Sequence, residues 1–173
     1  MNSRLAVSIA MFCSLVVLTS GCEHVDPRVA AARQRLLLTA DPGATMSFEQ
    51  VRKQLKDEAV PVSEVPVVLK GRVDAGESVS PWQTGLAAFV LTDATGHDDD
   101  EAHNPHTCPF CSRNITDYMA KVSFRENGSV IDIDSRELFG VTDRQRVIIR
   151  GTASLDDDGL LKVDATGLFI SPR

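Results

Sequence analysis

The residues of this chain that are best able to bind a metal or to react are three histidines and two cysteines between positions 97 and 111. They are His97, His103, His106, Cys108 and Cys111. Imidazole nitrogens and thiolate sulfurs are preferred ligands of zinc and copper, and four of them can complete a tetrahedral shell. We therefore expect a transition-metal site, with zinc bound by His103, His106, Cys108 and Cys111 and with His97 as a substitute or fifth donor. Copper is the second candidate metal.

The Cys108-Pro109-Phe110-Cys111 motif also permits two interpretations without a metal. Outside the cytoplasm, such a pair can work in thiol–disulfide exchange or close as a passive disulfide. In isolation the motif resembles a glutaredoxin active site, a family in which a helix follows the motif and stabilises the first thiolate. Here the segment Ser112-Arg113-Asn114 predicts no helix. Covalent haem attachment needs a histidine directly after the second cysteine, where this chain has Ser112, so no haem is expected.

These donors lie in an unusually long connection between two predicted strands. One strand ends near Asp93 and the next begins near Tyr118, so the connection spans residues 94–117. Hairpin loops usually take about two to five residues, and a longer loop in a compact domain needs something to order it. A bound ion would supply that ordering free energy.

The N-terminus has the features of an export signal. Arg4 precedes an apolar run over residues 5–18, which is too short to span a bilayer as a helix. The run ends in Leu18-Thr19-Ser20-Gly21-Cys22, which resembles the bacterial lipobox. This resemblance implies cleavage before Cys22, diacylglycerol on its sulfur and acylation (for example by palmitate) of the new N-terminus. Such acyl chains would anchor the protein stably to a membrane; the alternative is an ordinary signal peptide (1–21) with a chance cysteine.

The charge of the chain argues against nucleic acid as a partner. The formal net charge is −6, and removal of Arg4 with the signal peptide gives −6 − 1, about −7. Nucleic-acid affinity comes largely from Lys and Arg that neutralise phosphates, and no basic patch or tail is present. The sequence also has no phosphate-binding loop, no Ser-His-Asp order and no paired-carboxylate motif. We therefore expect no nucleotide cofactor, and a binding protein rather than an enzyme.

Two helices are predicted before the first strand. Asp26-Pro27 is an N-cap followed by proline at the first helical position, and we expect residues 22–45 to form the lipid anchor and a helical spacer. A second helix begins after Ser47, with Gln50 completing a capping box. Its apolar stripe consists of Phe48, Val51 and Leu55.

From Glu64 onward the apolar period becomes two, which predicts about five strands and a short helix. The predicted strands cover residues 65–73, 87–93, 118–125, 146–153 and 160–170, with a short strand at 130–133 and a helical turn at 135–139. Hairpin turns are expected at Asn127-Gly128 and Asp158-Gly159. Gly71 and Gly151 are expected where strands bend sharply, and Trp82 is interpreted either as a contact residue or as a cover for a barrel end.

This order of elements resembles the OB-fold, a small β-barrel. The resemblance rests on Val67–Val73, Ala88–Asp93 and Val147–Ala153, and it covers about residues 64–171. It implies a mainly β domain over residues 46–173: a five-stranded OB-like barrel with one or two N-terminal helices and a short helix between strands 3 and 4. The chain is also similar to bacterial OB-fold lipoproteins of unknown function that carry a Cys-Pro-x-Cys insertion.

Three functions follow as hypotheses. The first is a membrane-anchored lipoprotein in the cell envelope, facing the periplasm or the exterior, that binds a zinc-like metal or an unidentified protein partner. The second is a thiol–disulfide redox protein that uses Cys108 and Cys111. The third is an OB module that binds a protein or a glycan, with a passive disulfide in its loop.

Overall fold

A computed structural model describes residues 26–57, 62–94 and 105–172. The expected signal peptide, the expected lipidation site Cys22 and the candidate ligands His97 and His103 lie outside these residues. The elements, in chain order, are α1 (Pro27–Leu36), α2 (Phe48–Leu55), β1 (Val65–Val73), β2 (Ala88–Asp93), a 3₁₀ helix (Cys111–Tyr118), β3 (Met119–Glu126), β4 (Ser129–Val130), α3 (Ser135–Phe139), β5 (Arg146–Leu155) and β6 (Leu161–Ile170).

Five strands close into a mixed barrel, which confirms the mainly β prediction and is consistent with an OB-like fold. Strand β1 pairs antiparallel with β2 and β5, β2 pairs with β3, and β5 pairs with β6. Strands β3 and β6 run parallel and complete the ring. The predicted strand at 130–133 is shorter, since only Ser129–Val130 pairs with β3. The apolar alternation continues beyond this strand, since Ile131 and Ile133 are buried and Asp132 between them is exposed.

The barrel interior follows from the alternation along each strand. On β3, Ala120, Val122 and Phe124 are buried, whereas their neighbours Lys121 and Arg125 are exposed. Successive side chains of a strand point to opposite faces, so this pattern places one face in the core and the other in water.

Both predicted helix starts are confirmed. The Asp26 side chain accepts a hydrogen bond from the backbone N–H of Arg28 at 2.8 Å. Ser47 and Gln50 form the reciprocal capping box, with distances of 2.9 and 3.1 Å. These bonds satisfy backbone N–H groups that have no partner inside the helix.

Helix α1, for which we expected a spacer role, packs on the barrel. Its residues Val29, Ala32 and Leu36 are buried, and the helix contacts α3 and β6. The spacing of these three residues is that of an apolar helical stripe, and burying it gives the helix a place in the domain. Across the described part of the chain, no helix combines the length and apolar character needed to cross a membrane.

The glycine predicted to sit at a bend in β5 lies at a bulge. The register between β5 and β6 shifts between Arg150 and Gly151. A Cβ atom at Gly151 would lie 2.4 Å from the carbonyl oxygen of Asp164. The close approach of the two backbones therefore requires a residue without a side chain.

Candidate functional site

The described part of the insertion contains the two cysteines, held in a tight turn. Cys111 is the first residue of the 3₁₀ helix, and the backbone N–H of Ser112 donates to the carbonyl oxygen of Cys108 at 2.9 Å. Both cysteines are half-buried thiols. The Phe110 side chain between them is 82% exposed. The expectation that no helix follows the motif was wrong, because the segment folds as a 3₁₀ helix with a kink at Asn114.

The two sulfurs hydrogen-bond to each other but have unequal surroundings. The backbone N–H groups of Cys111 and Phe110, together with the Cys111 thiol, lower the pKa of Cys108. Burial and the neighbouring Cys108 sulfur raise the pKa of Cys111. Hydrogen bonds to an ionised group favour the charged form, and desolvation disfavours it. Cys108 is therefore the thiol that ionises first, and thiolate is the reactive and metal-binding form of cysteine.

Tyr118, at the end of the same 3₁₀ helix, also contacts the pair. Its hydroxyl hydrogen-bonds the Cys111 sulfur, and this bond raises the pKa of Tyr118. The same bond lowers the pKa of Cys111, so the hydroxyl donates to the sulfur. Tyr118 was not predicted as a site residue, because its contact with Cys111 depends on the kinked path of the helix between residues 111 and 118.

Arg52 of α2 fixes the far end of the 3₁₀ helix. Its guanidinium donates to the carbonyl oxygens of Asp117 at 3.2 Å, Met119 at 3.3 Å and Gly159 at 2.8 Å, and also to that of Thr116. The residue is only 6% exposed. One buried side chain thus ties α2 to the segment that carries Cys111 and Tyr118, and to the β5–β6 turn.

Arg52 was also missed, although the sequence contains a signal for it. It lies one turn after Phe48, within the stripe that Phe48, Val51 and Leu55 define. An arginine on the buried face of a helix is unusual unless its charge is satisfied, because a buried cation without partners is unstable. Its burial lowers the pKa of Arg52, and the nearby Asp117 and Asp156 act in the opposite direction.

A groove runs between α2 and the 3₁₀ helix. Its volume is about 820 Å³, and Tyr118 forms part of its wall. The remaining lining residues carry polar or charged side chains from several elements: Ser47, Glu49, Arg52, Lys53, Lys56, Asp93 and Asp117.

His106 is docked against the barrel. Its Nε2 lies 3.1 Å from the Thr92 hydroxyl, which itself donates to the carbonyl oxygen of Asp74 at 2.8 Å. The Thr92 hydroxyl therefore links the imidazole ring to the backbone at Asp74. The ring packs over Gly76, where a Cβ atom would lie 3.0 Å from Nδ1. This histidine anchors the insertion to the strand end at Thr92.

The expected four-ligand metal shell is not assembled by the described residues. Within residues 26–57, 62–94 and 105–172, no three side chains of His, Cys, Asp or Glu are placed to hold a metal ion. Cys108 and Cys111 lie together, and His106 does not join them. His97 and His103 lie outside the described residues, so their role as ligands stays a prediction.

Trp82 covers the barrel rather than presenting a free ring. It packs edge-on against Phe89 with ring centroids 6.0 Å apart, and the Arg136 guanidinium lies 5.8 Å from the Trp82 ring centroid. That guanidinium donates two hydrogen bonds to the Asp134 carboxylate. Of the two interpretations of Trp82, the packing role is the one that these contacts support.

No protein-family model and no curated protein matches this chain.

Proposed function

We propose that this protein performs thiol–disulfide exchange through Cys108 and Cys111, as an OB-like module anchored in a bacterial cell envelope. The observation that supports the proposal is the unequal environment of two neighbouring thiols. Backbone N–H groups lower the pKa of Cys108, whereas burial raises that of Cys111. The first thiol then supplies thiolate for attack, and the second stays protonated until it is needed.

The exchange proceeds in two displacement steps. The Cys108 thiolate attacks one sulfur of a substrate disulfide, forms a mixed disulfide and releases the other substrate sulfur as a thiolate, which takes up a proton. Cys111 then loses its proton to water and attacks the Cys108 sulfur. This releases the second substrate sulfur and closes the Cys108–Cys111 disulfide. The protein dithiol loses two electrons, the substrate disulfide gains them, and the reverse reaction oxidises a substrate dithiol.

The immediate test compares alkylation and redox equilibrium in four forms of the full-length chain. They are the wild type, Cys108→Ser, Cys111→Ser and, as a matched control, Ser112→Ala. We expect the wild type and the control to equilibrate with glutathione buffers, and Cys108 to react with iodoacetamide several-fold faster than Cys111 at pH 7. Equal alkylation rates, or thiols that never form a disulfide in oxidised glutathione, would refute the proposal.

A metal-binding function is the second candidate, and one observation favours it. The N–H groups that stabilise the Cys108 thiolate would serve a thiolate ligand of zinc equally well. The proposed site combines Cys108 and Cys111 with His97 and His103. About one zinc per chain after purification without chelators, lost in Cys108→Ser and in the histidine-to-alanine variants, would establish this function. Passive binding of a protein or a glycan by the barrel remains the third hypothesis, and it predicts neither metal nor reversible exchange.

The membrane anchor is part of the same proposal and rests on the lipobox-like segment that ends at Cys22. We expect the full-length chain to incorporate labelled palmitate and to sediment with membranes. The Cys22→Ser variant should lose the label, whereas Cys13→Ser, a change inside the expected signal peptide, should keep it. Labelling that survives Cys22→Ser would exclude this anchor.

A further inference from the structure

The groove between α2 and the 3₁₀ helix has the dimensions of a ligand site. Its volume of about 820 Å³ lies within the range of roughly 300–1,000 Å³ that small-molecule sites occupy. The Arg52 hydrogen bonds keep its two walls at a set separation, because they join α2 directly to the carbonyl oxygens of Thr116 and Asp117. The groove is therefore a built feature of the fold.

Tyr118 connects this groove to the reactive pair. The side chain lines the groove, and its hydroxyl donates a hydrogen bond to the Cys111 sulfur. That sulfur in turn hydrogen-bonds Cys108. A molecule lying in the groove against Tyr118 is therefore separated from the Cys111 sulfur by one side chain.

The charges of the groove walls indicate the kind of molecule that fits. Lys53 of α2 and Lys56 directly after the helix contribute cations. Asp93 at the end of β2 and Asp117 of the 3₁₀ helix contribute carboxylates. Glu49 adds a further carboxylate from α2. Because the groove walls carry both positive and negative charges, they complement a ligand that carries both carboxylate and ammonium groups.

We infer that this groove binds a short zwitterionic peptide that contains cysteine, and that it presents the peptide's sulfur to Cys108 and Cys111. This inference rests on the proposed thiol–disulfide function and names its substrate class. In the exchange, the peptide disulfide gains two electrons and leaves as two peptide thiols, while the protein closes its disulfide. Tyr118 is the side chain that connects the groove to the cysteine pair, because it lines the groove and its hydroxyl hydrogen-bonds the Cys111 sulfur.

The binding test avoids the redox chemistry altogether. S-methylglutathione, which cannot form a disulfide, is titrated calorimetrically into the full-length chain carrying Cys108→Ser and Cys111→Ser. Reversing the charges with Lys53→Glu and Lys56→Glu should weaken binding about tenfold or more, because charge-assisted hydrogen bonds are lost. The matched control is Lys162→Glu, a change at an exposed lysine on β6 that does not line the groove. Absence of binding, or equal weakening by the control, overturns the inference.

A kinetic comparison separates this inference from the function on which it rests. Oxidised glutathione is zwitterionic, whereas hydroxyethyl disulfide is neutral. We expect the wild-type dithiol to reduce oxidised glutathione faster, and the ratio of the two rates to fall toward one in the Lys53→Glu, Lys56→Glu variant. Equal wild-type rates on both disulfides refute the groove but leave the exchange function standing. Failure to reduce either disulfide refutes the exchange function.

Discussion

Replacing Arg52 tests whether one side chain holds the cysteine-bearing segment in place. The Arg52→Met variant keeps most of the aliphatic stem and removes a guanidinium that donates to four backbone carbonyl groups. A hydrogen bond contributes about 0.5–1.5 kcal/mol net, so four of them amount to roughly 2–6 kcal/mol. The net loss should lie below the upper end of this range. Burial lowers the pKa of Arg52 because the buried charge is desolvated, and removing the charge removes that desolvation penalty. Water also reaches the exposed residues Thr116 and Asp117. We therefore expect the free energy of unfolding to fall by about 2–4 kcal/mol.

The assay is urea unfolding of the full-length chain, followed by the fluorescence of Trp82, the chain's single tryptophan. An unchanged slope with urea would identify the effect as lost stability rather than a changed unfolded state. Arg52→Lys should recover only part of the loss, since a point-like ammonium cannot reproduce the planar fork of donors. The control is Lys53→Met, the same kind of change one residue along α2 on an exposed side chain, which should stay within about 0.5 kcal/mol of wild type.

A second measurement separates a positioning role from simple destabilisation. If Arg52 positions the end of the 3₁₀ helix, Arg52→Met should also displace Tyr118 from Cys111 and change the pH profile of Cys111 alkylation in the folded protein. The reasoning would be refuted if Arg52→Met unfolds within 0.5 kcal/mol of the Lys53→Met control. If stability fell while the alkylation profile stayed unchanged, Arg52 would stabilise the fold without positioning the thiol site.

Three further substitutions test other contacts by the same unfolding assay. Asp134→Asn keeps a helix cap but removes the carboxylate whose pKa its hydrogen bonds to Arg136 hold well below the usual range. The ionised Asp134 carboxylate contributes its full stabilisation above the unfolded pKa of about 4, and this contribution is lost as the pH falls through the lower folded pKa. Asp134→Asn should therefore lower the free energy of unfolding by about 0.5–1 kcal/mol at pH 7 and by less in acid. A loss that is independent of pH would contradict this assignment. Gly151→Ala places a Cβ atom 2.4 Å from a backbone oxygen that cannot rotate away, and we expect a loss of about 1–3 kcal/mol. An unchanged free energy of unfolding would mean that the two backbones can separate at the bulge without cost. Thr92→Val removes the hydroxyl between His106 and the backbone, and should reduce stability by about 1 kcal/mol and shift the imidazole NMR signals of His106. Unmoved imidazole signals would show that this hydroxyl does not anchor the ring.

Local patterns predicted most elements of the fold. The capping box at Ser47 and the period of two along β3 each depend on neighbours within a few residues, so the sequence contains all the information they need. The 3₁₀ helix after the cysteines was not predicted. It is short, kinked at Asn114 and held at its end by Arg52 from a distant helix.

The candidate site was predicted only in part. Cys108 and Cys111 contact each other, as their spacing alone predicts, because two residues between them bring the sulfurs together. His106 belongs to the same cluster in sequence but points to Thr92, since its side chain is directed by the barrel and not by its neighbours in the chain.

The sequence by itself determined the strand pattern, the helix caps, the export-like N-terminus and the pairing of two thiols, because each depends on short-range spacing and composition. The pKa values of the two thiols depend on groups of the same short segment, namely the N–H groups of Cys111 and Phe110 and the Tyr118 hydroxyl. Only the tertiary structure decided that a groove lies between α2 and the 3₁₀ helix and that His106 docks on Thr92. Those properties arise from hydrogen bonds of Arg52 and Thr92, which reach their partners only after the barrel has closed and α2 has packed beside the 3₁₀ helix.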